Sequence, residues 1–114
     1  MSVAARAGYL WKAASDALHA AGLPVAKLSA SPKVKGIRLG SMHAMKGLES
    51  QAVAVIGVSD GVLPSPNAVT PAESDPAAHA HDLQRERCLL FVVCTRARDH
   101  LYLSYSGTPS PFLG

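Results

Sequence analysis

Gly40-Ser41-Met42-His43-Ala44-Met45-Lys46-Gly47-Leu48-Glu49-Ser50-Gln51, followed by Ala52-Val53-Ala54-Val55-Ile56-Gly57-Val58, is the stretch whose reading decides the fold. The second part is an unbroken apolar run, and Gly61 and Pro64 follow it as turn residues. A run of this length bounded by polar turns suits a strand buried on both faces, as in a parallel sheet. Upstream, Gly36 to Met42 alternates in polarity and reads as another strand, ending near Ser41 and His43. Polar groups gathered beyond a strand end of an α/β sheet are where such folds hold ligands. Ser41, His43, Lys46, Gly47 and Glu49 are therefore the first candidate site residues.

Outward from this stretch the chain alternates between periods. Ser2 to Ala5 is a short strand candidate. Gly8 to Ala21 is helical, with Ala7, Leu10, Trp11, Ala14 and Leu18 at the three-and-four spacing of one apolar face. Gly22 stops that helix and Pro24 forbids its resumption. Val25 to Leu28 reads as a strand, and Ser29 to Lys35, with Pro32, as a loop. Ser59 to Ala80 is rich in Pro, Ala, Ser and Asp and reads as a long, mobile surface loop. His81 to Cys94 reads as a helix with Leu83, Arg87, Leu90, Val93 and Cys94 on one side. His100 to Tyr105 is the last strand, and residues 107–114 form a tail. The alternation predicts one α/β domain over residues 1–114 with a mostly parallel sheet.

Composition sets bounds without choosing a function. The chain has 114 residues, 48% hydrophobic, with a formal charge of +3. This mild basicity permits contact with nucleic acid and does not by itself argue for it. Cys88 and Cys94 stand on a helix, pointing to different faces, so they are expected to stay unpaired as buried apolar thiols; their spacing is no zinc pattern. Residues 1–7 do not read as a signal peptide. No segment approaches the roughly 20 apolar residues of a membrane span. The expected setting is cytoplasmic, with no membrane partner.

The Gly40 segment resembles motif V of UvrD/Rep-type superfamily 1 DNA helicases, Thr-x-His-x-x-Lys-Gly-Leu-Glu-Phe. Gly57, Gly61 and Pro64 match the family's following Gly-x-x-x-Gly-x-x-Pro. Ser41 keeps the hydroxyl of the usual Thr, and Ser50 replaces the usual aromatic residue. The resemblance implies that Ser41 and His43 meet DNA phosphates and bases and that Lys46 supports the turn on the same DNA-facing side. It implies that Gly47 and Glu49 lie beside the nucleotide.

The run Arg85-Glu86-Arg87-Cys88-Leu89-Leu90-Phe91-Val92-Val93-Cys94-Thr95-Arg96-Ala97 resembles motif VI, Glu-Arg-Arg-Leu-Leu-Tyr-Val-Ala-x-Thr-Arg-Ala, with Cys88 in place of the second Arg. A helix ending in Thr95 and Arg96 can present a planar, permanently charged guanidinium across a cleft. A lone Arg at a helix C-terminus reads first as a response to the helix dipole; coupled to the Gly40 segment, Arg96 is the candidate arginine finger for a γ-phosphoryl group. Arg98 reads as solvated or near a phosphate. Residues 6–24 resemble motif IV, with Arg6 closing a strand and Lys12 in place of a second Arg at the γ-phosphate. Lys12 would supply a point charge without a bidentate fork, and it reads equally as part of a solvated helix face.

The chain contains no Gly-x-x-x-x-Gly-Lys-Ser/Thr loop and no paired acidic motif for Mg²⁺. The resemblance therefore implies a three-layer RecA-like domain without a phosphate loop of its own. It would be the second motor domain of a compact helicase lacking the large inserted subdomain. Its expected partners are single-stranded DNA, ATP and a first RecA-like domain that holds Mg²⁺. Translocation polarity would be 3′ to 5′, and this chain alone would bind ATP weakly and hydrolyse none. Two rival readings stand beside this one: a catalytically inactive, helicase-like protein-binding module, and a subunit of a helicase–nuclease.

Overall fold

The computed structural model describes residues 1–27, 36–46 and 49–113. Among them run β1 (Ser2–Ala5), α1 (Gly8–Ala20), β2 (Val25–Lys27), β3 (Ile37–Ser41), β4 (Ser50–Ile56), α2 (Pro76–Cys94) and β5 (Ala97–Leu103). Short 3₁₀ turns occupy His43–Met45, Pro66–Ala68 and Pro111–Leu113. Leu28 and the Ser29–Lys35 loop reading fall outside the described residues.

The strands form one sheet in the order β2-β3-β1-β4-β5, and every pairing between them is parallel. From β1 the chain steps outward through α1 to β2, and from β4 it steps the other way through α2 to β5. Right-handed crossovers in opposite directions put the two helices on opposite faces. This is the three-layer α/β arrangement expected from the sequence.

The two faces are covered unequally. The core lies under α2, where Leu89, Leu90 and Val93 meet Ala4, Val53, Val55, Met42 and Met45. On the other face α1 packs over β1, β2 and β3, and none of its residues is fully buried. Hence β4 is not buried on both faces, as its apolar run suggests. Val53 and Val55 are fully buried, but Ala52, Ala54 and Ile56 are only partly covered, because α1 sits off to one side of them. Gly57, at φ +69°, is where Leu10 of α1 reaches the sheet; a Cβ there would collide with the Leu10 Cδ1.

Three further readings change in the structure. First, α2 starts at Pro76, inside the segment read as loop. Asp75 caps it, accepting a hydrogen bond from the Ala78 N–H at 3.1 Å, and Pro76 takes the first helical turn. The rest of that segment is tied down. Leu63 is buried, and the Thr70 hydroxyl and N–H both donate to Asp82 (2.7 and 2.9 Å). Second, the inward face of α2 is Glu86, Leu89, Leu90 and Val93, with Arg87 outside. The true stripe is rotated from the expected one, so that it carries a carboxylate. Third, the tail is docked: Ser110 is buried and donates to the Leu63 carbonyl, and Phe112 packs against the core with the Arg87 guanidinium 5.0 Å above its ring.

Met45 is fully buried beneath α2 although its neighbours His43, Ala44 and Lys46 are exposed. Met45→Ala is expected to lower the unfolding free energy by about 2–5 kcal/mol. In urea this appears as a reduced midpoint with an unchanged slope.

Candidate functional site

Because β3 and β4 are parallel, the chain must travel between Ser41 and Ser50 from the carboxyl ends of the strands back to their amino ends. The register makes this explicit: Ser41 is level with Ala5, and Ala5 with Ile56, the last residue of β4. The candidate residues of this segment therefore divide between two ends of the sheet.

At the carboxyl end, the Ser41 hydroxyl accepts the Ala44 N–H at 3.2 Å and so starts the 3₁₀ turn. The turn projects His43 into solvent while Met42 and Met45 anchor it from below. His43 and Lys46 line a cleft of about 460 Å³ together with Arg85. The inner wall of the cleft is an ion pair that composition and periodicity did not single out. Arg6, just beyond β1, donates Nε and Nη2 to the two carboxylate oxygens of Glu86 at 3.0 and 3.1 Å. The Ser65 N–H adds a third hydrogen bond to Glu86, at 2.8 Å. The available sequence signal was Glu86 recurring with Leu89, Leu90 and Val93 at helical spacing, which forces any carboxylate there to find a cation.

The electrostatics follow from this wall. Burial pushes the Glu86 carboxyl up, but the hydrogen bonds from Arg6 and Ser65 and the Arg6 charge outweigh it and hold the group below the usual carboxylate range. His43 is held below its ordinary value, first by partial burial and then by the charges of Arg6 and Lys46; Glu86 opposes them. The imidazole is therefore neutral at pH 7, offering one donor and one acceptor.

At the amino end stand Glu49 and Arg96. Glu49 is exposed at the start of β4. Arg96 lies between α2 and β5, and its carbonyl accepts the Ser50 N–H at 3.0 Å, which seats the two residues on one edge. The Arg96 Nη2 donates to the Thr95 hydroxyl at 3.2 Å. Its Nε is, among the described residues, the one buried side-chain nitrogen or oxygen without a hydrogen-bond partner. Lys12 is exposed on α1, on the opposite face of the sheet from α2, and Arg98 is exposed on β5. Gly47 lies outside the described residues. The two cysteines are unpaired; Cys88 is exposed rather than buried, and Cys94 is half-buried, its thiol pushed up by burial. Among the described residues no helix is long and apolar enough to cross a membrane.

Residues 14–108 match the model of the UvrD-like helicase C-terminal domain. The chain belongs to that family. The ATP-dependent DNA helicase UvrD2 of Mycobacterium tuberculosis is 44% identical over 80 residues, which is 70% of this chain and 11% of that protein. The ATP-dependent DNA helicase PcrA of Staphylococcus aureus is 32% identical over 82 residues, 72% of this chain and 10% of that one. The chain thus spans about a tenth of the length of these curated relatives. Among solved structures, the C-terminal domain of a possible DNA helicase from Lactobacillus plantarum superimposes with a TM-score of 0.68 at 24% identity, covering 99% of this chain and 60% of that one. That likeness establishes the fold, the RecA-like α/β domain expected from the sequence.

Two titrations check the electrostatics. Followed by NMR, His43 titrates below its ordinary 6.5, and Glu86→Gln, which removes the opposing negative charge, lowers it further. Glu86 has its folded pKa depressed, so its stabilisation is full above the ordinary carboxylate value and is lost as pH falls through the folded value. Glu86→Gln is therefore expected to flatten the acid limb of the stability curve below about pH 4.5.

Proposed function

We propose that this chain acts as the second motor domain of an ATP-driven helicase or translocase on single-stranded DNA. ATP lies between two RecA-like domains, of which the other carries the phosphate loop and holds Mg²⁺. Arg96 contributes its guanidinium to the γ-phosphate, and Glu49 and Gly47 lie beside the nucleotide. Lys12 offers a further point charge toward the phosphates. Ser41, His43 and Lys46 face the DNA. The protein works in the cytoplasm, with its DNA.

The observation that carries this reading is the unpartnered, buried Nε of Arg96. A buried donor without an acceptor costs about 1–3 kcal/mol. Turning the guanidinium toward a phosphoryl oxygen at the edge shared with Glu49 brings the Nε out of its buried position and relieves that cost. The guanidinium stays charged throughout and is planar, which suits the charge spread over a transferring phosphoryl group. At the other edge, the neutral His43 ring suits base edges or phosphate oxygens as donor or acceptor. Lys46 and Arg85 add the positive charge that a nucleic-acid backbone requires.

The test is ATP turnover by the full-length protein with and without single-stranded DNA. Arg96→Ala is expected to cost about 10³-fold or more in turnover while nucleotide binding persists. An unimpaired Arg96→Ala enzyme, or a full-length protein with no phosphate loop, removes the motor reading. The catalytically inactive protein-binding module then takes its place.

A further inference from the structure

Glu86 has no role in the reading above, yet it is the buried charge at which three parts of the fold meet. Its residue is 5% exposed. It binds Arg6 through both oxygens, joining α2 to the end of β1, and it accepts the Ser65 N–H, joining α2 to the segment after β4. Arg6 and Glu86 border the same cleft as His43 and Lys46. From Glu86 the helix runs on to its C-cap at Thr95, about 13 Å along the axis. Arg96 follows at the opposite end of the sheet. Helix α2 thus runs past both candidate sites, and Glu86 fixes it near mid-length.

We propose that Glu86 is a positioning residue through which a phosphate in the cleft beside His43 sets the placement of Arg96. The inference rests on the motor reading and adds the route between its two edges. A nucleic-acid phosphate entering beside Lys46 is a second acceptor for the Arg6 guanidinium. Arg6 is then shared between phosphate and carboxylate, and the tie from β1 to α2 changes in strength. Because α2 is a continuous helix, a change at Glu86 is carried to Thr95 and Arg96. A buried ion pair is a poor source of net stability, but its bidentate geometry admits one orientation of the two groups. Those properties suit a positioning contact. Glu86 touches neither nucleotide nor DNA in this scheme.

The test uses the full-length protein and two variants. Glu86→Gln keeps the shape and removes the charge. Arg6→Lys keeps the charge and removes the fork. The quantity read is the ratio of turnover with saturating oligo-dT to turnover without DNA. Glu86→Gln is expected to lower that ratio about tenfold, with the KM for ATP and the Kd for fluorescent oligo-dT held within about twofold. Arg6→Lys is expected to fall between Glu86→Gln and wild type. A purely architectural Glu86 predicts another pattern: melting temperature, both turnover rates and oligo-dT affinity fall together and the ratio stays constant. That pattern, or an unchanged ratio in a normally folded Glu86→Gln protein, overturns the proposal and leaves the motor reading intact. If the wild-type protein shows no stimulation by DNA, or Arg96→Ala is fully active, the motor reading itself has failed and this inference falls with it.

Discussion

Parallel pairing of β3 and β4 through β1 is the constraint on which the rest of the molecule depends. Ser41 ends β3 level with Ile56, and Ser50 begins β4 six residues earlier in that register. At about 3.3 Å per residue the chain must come back some 20 Å along the sheet. It does so with the residues from 42 to 49, too few for a helix of ordinary length. The return path is held by driving Met42 and Met45 into the core under α2. Residues three apart on a 3₁₀ turn share one side, so burying Met42 and Met45 turns the intervening His43 and Ala44 outward. The exposure of His43 follows from the packing of its neighbours, and so does the appearance of Glu49 at the far end.

Helix α2 is the second element that spans the sheet, and it solves a different problem. Its inward stripe is apolar except at Glu86. A lone carboxylate there would carry a desolvation cost of several kcal/mol. The fold answers with a guanidinium from the end of β1 and a backbone N–H from Ser65. Three elements distant in sequence are fastened at one point, since contacts to Glu86 come from residues 80 and 21 positions away. The two charges of the pair act on His43 in opposite directions, Arg6 lowering its pKa and Glu86 raising it, beneath the larger effect of partial burial. Packing, polar satisfaction and site electrostatics are one arrangement here.

Much of this was legible in the sequence for identifiable reasons. The alternation of apolar runs with helical stripes gave the α/β class, and the Lys46-Gly47-Leu48-Glu49 and Thr95-Arg96-Ala97 matches gave the family. What misled was the use of apolarity as a measure of burial. Ala52, Ala54 and Ile56 belong to a run as apolar as any core strand, yet the helix that would cover them lies over β1, β2 and β3 instead. That offset is a tertiary property with no local signal. The start of α2 was different, because Asp75-Pro76 is a cap followed by a first-turn proline, and it was obscured by the Pro- and Ala-rich composition around it. Arg6 with Glu86 lay between these cases. Each residue was visible, but their partnership depends on the parallel order β1-β4 and the position of α2 over it.

The two edges of the sheet differ in how completely their polar groups are satisfied, and the difference bears on how such a domain works with a partner. At the carboxyl edge, Arg6 and Glu86 complete each other, and the cleft beside them is bordered by groups with water available. At the amino edge, Arg96 has one hydrogen bond to Thr95 and a buried Nε with none. Native interiors rarely leave such a donor alone. Folding this chain brings Arg96 to a fixed place but does not finish its bonding. A ligand shifts an equilibrium only by its differential interaction with the two states, and an unmet donor is one source of such a difference. An unsatisfied donor has more to gain from a new acceptor than a satisfied one. The unsatisfied donor is thus a small local loss of stability that a new acceptor can recover.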